Sequence, residues 1–211
     1  MIRLDDPSIR YKDSFLEGAA EFHAEGRFEA TYGTGLGYDL DGMQRRFGQF
    51  VRALRALGDP SRRFRGGYVD RVLWLVDGGE YVGQVSIRPE LCTRYLITYG
   101  GHIGYSIRPS RRGRGYGNEI LALALKVSEE MGLKKVLITC DSDNIASRKI
   151  IERNGGIFES AARMNGSAFR AEGRGRRRGV EKLRYWIELS PPRERARTVL
   201  LPEGDPSCGS V

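Results

Sequence analysis

Apolar positions in the first third of the chain recur at helical spacing. Phe15, Leu16, Ala19 and Phe22 fall on one face of a helix expected from about Asp13 to Glu25. Met43, Phe47, Phe50, Val51, Leu54 and Leu57 repeat the pattern and predict a second helix from roughly Asp41 to Leu57, ended by Gly58-Asp59-Pro60. Thr31 to Gly37, between them, is glycine-rich and aromatic and reads as a loop. The period then shortens. Val69 to Val76 and Glu80 to Arg88 are strand-like runs joined by Asp77-Gly78-Gly79, a hairpin signal. His102 to Arg108 is a third strand, stopped by Pro109. A loop of glycine and arginine leads into a helix whose buried stripe is Ile120, Leu123, Ala124, Val127 and Met131. Lys135 to Cys140 predicts a strand, Asn144 to Asn154 a short helix closed by Gly155-Gly156, and Leu183 to Leu189 a last strand. Cys140, Trp74 and Trp186 are assigned to the core.

This order of elements implies an α/β (α+β) domain over residues 1–190, with a mixed sheet covered by helices on both faces. Pro191-Pro192 opens a polar tail, 191–211, expected to be disordered. At 211 residues the chain has room for one such domain with a proper core, and not for two large ones.

Composition removes several classes of function. No apolar run approaches the ~20 residues that span a bilayer, and no apolar stretch follows Arg3, so neither a membrane span nor a secretory leader is expected. Cys92, Cys140 and Cys208 form no disulfide framework and have no metal-ligand spacing. No metal is expected, and a reducing cytoplasm is the expected setting. The net charge of +8 is concentrated: residues 161–180 hold six arginines against Glu172 alone. That segment is rich in glycine and reads as a basic loop insertion. Its run Arg174, Arg176, Arg177 and Arg178 is expected to be a solvated loop, with an acidic or nucleic-acid partner as the alternative.

The loop Arg111-Arg112-Gly113-Arg114-Gly115-Tyr116-Gly117 stands between a strand and an amphipathic helix. Anion binding is favoured there because the first helical turn has N–H groups without intrahelical partners, and the macrodipole adds positive charge. Glycines let the backbone approach a pyrophosphate, and the arginines add charge. The spacing G-x-G-x-G does not match the dinucleotide fingerprint G-x-G-x-x-G, and no Gly-Lys-Ser/Thr occurs.

The motif R-x-x-G-x-G formed by Arg112, Gly115 and Gly117 resembles the acetyl-CoA pyrophosphate loop of the GNAT superfamily of N-acetyltransferases. Upstream, Gly101-His102-Ile103-Gly104-Tyr105-Ser106-Ile107-Arg108-Pro109 resembles the family's fourth strand. Downstream, Asp143-Asn144-Ile145-Ala146-Ser147-Arg148 and Asn154-Gly155-Gly156 resemble its later asparagine-led helix. The strand-loop-helix block further resembles a branch of uncharacterised bacterial "predicted acetyltransferases", which gives no substrate.

The resemblance implies a mainly antiparallel sheet with a splayed central strand pair, and acetyl-CoA as co-substrate for transfer to an amine. It places Ile107 and Pro109 beside the pantetheine arm, and Arg112, Gly113, Arg114, Gly115, Tyr116 and Gly117 around the pyrophosphate. Asn144 and Ser147 fall near the thioester; Asn144 is equally a favoured helix N-cap. His102, with an ordinary pKa of ~6.5, is the candidate general base, or else a strand-end residue with a structural hydrogen bond. The family's tyrosine acid falls on Ile151, which donates no proton, and leaves Tyr105 and Tyr116 as alternatives. A monomer or homodimer is expected. The rival function is a non-catalytic acyl-CoA-binding or RNA-associated protein on the same fold.

Overall fold

Alternation along the first hairpin strand sets up two cores, one on each side of a sheet. In β2 (Arg71–Asp77) Leu73 and Leu75 join one cluster and Val72, Trp74 and Val76 the other, all of them buried. A strand covered on both faces reads as a continuous apolar run, as Val72 to Val76 does. The computed structural model describes residues 1–61, 68–163 and 180–189. The Arg174 to Arg178 cluster and the expected tail from Pro191 lie outside the described residues.

Seven strands lie in the order β1-β2-β3-β4-β5-β7-β6. They are β1 (Arg3–Asp5), β2, β3 (Glu80–Ile87), β4 (Ile103–Ile107), β5 (Lys135–Asp141), β6 (Ile157–Arg163) and β7 (Glu181–Glu188). Every pairing is antiparallel except β4 with β5. The mixed, mainly antiparallel sheet expected from the sequence is therefore the sheet observed.

One face carries α1 (Lys12–Ala24), α2 (Leu40–Arg45) and α3 (Phe47–Ala56). Their Phe15, Ala19, Met43, Phe47, Phe50 and Leu54 pack on Trp74 and Tyr81. The Phe15 and Trp74 rings stack at 4.5 Å between centroids. The opposite face carries α4 (Tyr116–Glu130) and α5 (Ile145–Arg153), through Ile120, Leu121, Ala124 and Ile151. Among the described residues no helix is long and apolar enough to cross a membrane.

Three expectations change, and one strand is new. The single helix from Asp41 to Leu57 is two helices, broken at Arg46 (φ −121°, ψ 35°). The apolar spacing continues at helical period across the break, so the pattern did not reveal it. Residues 161–163 belong to β6 and not to a loop. That edge strand leaves Ile157 and Phe158 exposed and so lacks the alternation that marks a half-buried strand. The strand β1 has only three residues, too few for a period. Finally, Trp186 is half-buried and polar in its contacts: its Nε1 donates to Glu159 Oε1 (2.8 Å) and Lys135 Nζ lies 4.7 Å above its ring.

Candidate active site

The strands β4 and β5 meet at one register pair, Ile103 opposite Ile138. Farther along, each pairs only with its outer neighbour, β3 or β7. Both therefore keep an unpaired backbone edge along a widening gap. Arg108 donates its N–H to the Val82 carbonyl on β3 (2.9 Å). By strand alternation the N–H and C=O of Ile107 and Tyr105 point the other way, into the gap. Gly104 to Ile107 are only half-buried in mid-sheet, whereas β3 is buried from Tyr81 to Ile87. The gap is an open slot.

The Gly/Arg loop closes the wide end of this slot. A tight turn over Pro109–Arg111 is followed by Gly113 (φ 75°) and Gly115 (φ 87°), in the left-handed region where a side chain strains the backbone. Gly115 is the N-cap of α4 and has no side chain to cap the first turn, although its carbonyl accepts the Asn118 N–H (2.9 Å). Among the described residues the N–H groups of Gly113, Arg114, Gly115, Tyr116 and Gly117 have no hydrogen-bond partner. A Cβ on Gly113 or Gly115 would meet open space, while one on Gly117 would collide with Ile150 of α5. Gly117 is thus small for helix packing, and Gly113 and Gly115 for backbone conformation.

The loop arginines are less free than the sequence suggested. Arg112 forms a two-pronged pair with Glu25 at the end of α1 (2.7 and 2.9 Å) and donates from Nε to the Ile107 carbonyl (3.1 Å). Arg111 pairs with Glu80. Arg114 has no carboxylate partner among the described residues. Arg108, which the sequence reading left unassigned, is buried. It binds Glu21 (2.7 Å) and Glu17 (2.9 Å), so acids one turn apart on α1 hold the end of β4 in place. Tyr116 anchors the start of α4 by donating to Asp77 Oδ2 (2.8 Å).

At the narrow end, on the α4–α5 side, the hydroxyls of Tyr105 on β4 and Ser147 on α5 lie 3.0 Å apart and bridge the two elements. Burial pushes the Tyr105 hydroxyl up to about 12, so it keeps its proton at neutral pH. Asn144 acts as the N-cap of α5, accepting the Ser147 N–H at 3.0 Å. Ile151 is fully buried in the core.

On the opposite side of the sheet the narrow end is polar and buried. His102 is one residue before the junction, and its Nδ1 accepts the Leu137 N–H (2.9 Å) while its own backbone N–H donates to the Leu137 carbonyl (2.7 Å). With Nδ1 accepting, neutral His102 carries its proton on Nε2 and has no spare lone pair. Burial, with the nearby Arg88 charge, lowers its pKa to about 4. Of the two readings of His102, this geometry supports the structural one: it staples β4 to β5. Arg88, just after β3, lies 3.3 Å from Asp70 and donates to Ser86 Oγ (2.9 Å) and the Gly101 carbonyl (3.3 Å). Asp70 also accepts from the Tyr32 hydroxyl (2.7 Å).

A family model described as "Acetyltransferase (GNAT) domain" matches residues 16–157, which contain the whole slot. The chain belongs to the GNAT acetyltransferase family. Several solved structures share the fold at low identity. One is the acetyl transferase from Salmonella typhimurium that modifies the N-terminal serine of 50S ribosomal subunit protein L7/L12. It has a TM-score of 0.57 and 17% identity, over 90% of this chain and 95% of that one. Another is the microcin C7 self-immunity acetyltransferase MccE in complex with acetyl-CoA and AMP, with a TM-score of 0.57 and 15% identity over 89% and 92%. A third is yncA from Salmonella typhimurium with acetyl-CoA, with a TM-score of 0.53 and 16% identity over 90% and 94%. A comparison with curated proteins finds no match.

Within this GNAT fold Ile107, Pro109 and the loop from Arg112 to Gly117 follow one another from β4 to the start of α4, Ser147 meets Tyr105 of β4, Asn144 caps α5, and His102 stands one residue before the strand junction. The sequence reading missed the Arg112–Glu25 pair, the Arg108 network and the Arg88–Asp70 cluster. Each links residues far apart in sequence, and no local spacing announces them.

Proposed function

We propose that this chain is an acetyl-CoA-dependent N-acetyltransferase that moves an acetyl group directly to a primary amine of a small molecule or peptide. The observation that carries this reading is the slot itself: two strand edges that pair with nothing beyond the junction lead to five consecutive N–H groups at a helix N-terminus that have no partner among the described residues. Such groups suit a pyrophosphate, and an unpaired strand edge suits an extended amide chain. The fit extends to acetyl-CoA because four strand residues at ~3.3 Å each separate the loop from the strand junction, within reach of a pantetheine arm. The structures of MccE and yncA hold acetyl-CoA on this fold and support the choice.

The N–H groups from Gly113 to Gly117 would hold the pyrophosphate, with Arg114 adding charge. The edges of Ile107 and Tyr105, with Pro109 at the turn, would align the arm, and Asn144 and Ser147 would flank the thioester. A backbone N–H of β4 would polarise the carbonyl. The amine nitrogen would bond the carbonyl carbon as the C–S bond breaks, and the thiolate would take a proton from the Tyr105–Ser147 hydroxyl pair, which would regain one from water; Ile151 can donate none. The proton lost by the amine passes to water, because the Nδ1 lone pair of His102 is held by Leu137.

Release of free CoA thiol from acetyl-CoA in the presence of amines tests the reaction. No release above the amine-free rate with any small amine, amino acid or peptide N-terminus would refute it. The joint variant Tyr105→Phe, Ser147→Ala should lower turnover about 10²-fold, the lower end for a positioned acid, with acetyl-CoA affinity nearly unchanged. Full turnover in that variant would assign the proton to water.

Glu25 gives a prediction of opposite sign. Its carboxylate occupies Arg112 and adds negative charge beside the anion site. An exposed pair of this kind is worth at most about 1 kcal/mol, so Glu25→Gln should tighten acetyl-CoA binding about threefold to fivefold. Titration calorimetry measures it, and weaker binding would mean that the pair supports the loop instead of competing with the phosphates.

A further inference from the structure

The polar cluster opposite α5 has a feature that a structural ion pair does not need. Arg88 is a buried cation, its side chain 13% exposed, against Asp70 at 3%. The contact between Arg88 Nε and Asp70 Oδ1 is close, yet among the described residues neither atom makes a hydrogen bond. The two outer nitrogens, with four N–H donors between them, give one bond to Ser86 Oγ and one to the Gly101 carbonyl, and Tyr68 lies against the same guanidinium, its ring centroid 5.9 Å from Cζ. They lie equally far, 3.7 Å, from where a side chain on Gly104 would begin. Gly104 is half-exposed and stands one residue past the strand junction. A guanidinium fork thus lies over the floor of the slot, on the face opposite the hydroxyl pair.

We propose that Arg88 reads a carboxylate on the acceptor, so that the acceptor is an amino acid or a related amine with its carboxylate a few bonds from the nitrogen. This rests on the N-acetyltransferase reading above. A planar fork meets a carboxylate with two parallel bonds, stronger and more directional than one to an ammonium. The placement adds selectivity, because a nitrogen a few bonds from a carboxylate on Arg88 falls beside Gly104 and Tyr105, where the thioester would end. Asp70, itself held by Tyr32, fixes the guanidinium in that position.

The test uses two product-like probes on the full chain in excess CoA: N-acetyl-L-alanine, and N-ethylacetamide, which lacks the carboxylate. Titration calorimetry should show N-acetyl-L-alanine binding at least tenfold tighter to the wild type. Arg88→Gln should abolish the preference. Because that change strands Asp70, two gentler variants accompany it, with folding of each checked by thermal melting. Arg88→Lys keeps the charge opposite Asp70 but loses the fork, and Gly104→Ala places a methyl group beside both outer nitrogens. Each should weaken N-acetyl-L-alanine binding severalfold and leave N-ethylacetamide unchanged. Equal binding of the two probes, binding of neither at 50 mM, or a preference that survives in Arg88→Lys and Gly104→Ala overturns the proposal. The outcome is independent of turnover. A carboxylate preference without thiol release would reject the enzyme and keep the pocket, whereas thiol release from simple amines without the preference would do the reverse.

Discussion

Gly115→Val should remove acetyl-CoA binding while leaving a folded protein. In the wild type, cofactor at a hundredfold excess over Kd should add ~2.7 kcal/mol of stability, or roughly 5–10 °C in melting temperature for a chain of this length. Gly115 is at φ 87° with open space where a Cβ would project. Valine there costs about 1–2 kcal/mol of backbone strain, and relief of that strain turns N–H groups away from the anion. Gly132→Val is the matched control. Gly132 has φ 86°, has equally open surroundings, and follows the far end of α4. It should lose similar stability and keep the full acetyl-CoA shift. Gly117→Val differs again, since its side chain strikes Ile150 and should lower stability before affinity. A Gly115→Val protein with the wild-type shift, or a Gly132→Val protein without it, would move the anion site away from the start of α4.

The parts of this architecture legible in the sequence are those written in local pattern. The hairpin from β2 to β3 announces itself by two apolar runs around Asp77-Gly78-Gly79, and α4 by a stripe at helical period. The loop was legible because left-handed backbone at Gly113 and Gly115 calls for glycine. What escaped was set by contacts between distant segments. Arg112 was counted as a free charge, and only the fold brings Glu25 against it. Arg108 looked like a strand-end residue, and only the packing of α1 gives it Glu17 and Glu21. The same limit applied to His102. Its position and ordinary pKa suggested a base, but the close approach of β5 brings the Leu137 N–H onto the nitrogen that would have accepted a proton.

That staple has a measurable signature in acid. The folded-state pKa of His102 is lowered to about 4 from 6.5, so between those values the unfolded chain binds a proton that the folded chain does not. Unfolding free energy therefore rises with pH across this window, and the contribution is complete above about pH 6.5 and lost as pH falls toward 4. One pH unit of depression is worth about 1.4 kcal/mol, which makes the full effect on the order of 3–4 kcal/mol. His102→Ala should remove this slope. It should also lower stability at pH 7 by about 1–3 kcal/mol, because the Leu137 N–H is left buried without an acceptor. Denaturant midpoints from pH 4 to 7.5 measure both, and the carboxylates held low by their partners, such as Glu159, act mainly below this range. Turnover supplies the contrast with a catalytic role. Once corrected for folded fraction, the ratio of wild-type to His102→Ala rates should stay within a few fold and be flat from pH 6 to 9. A loss of 10² or more that shrinks as pH rises is what a general base would give, and it would show that the Leu137 bond opens during the reaction.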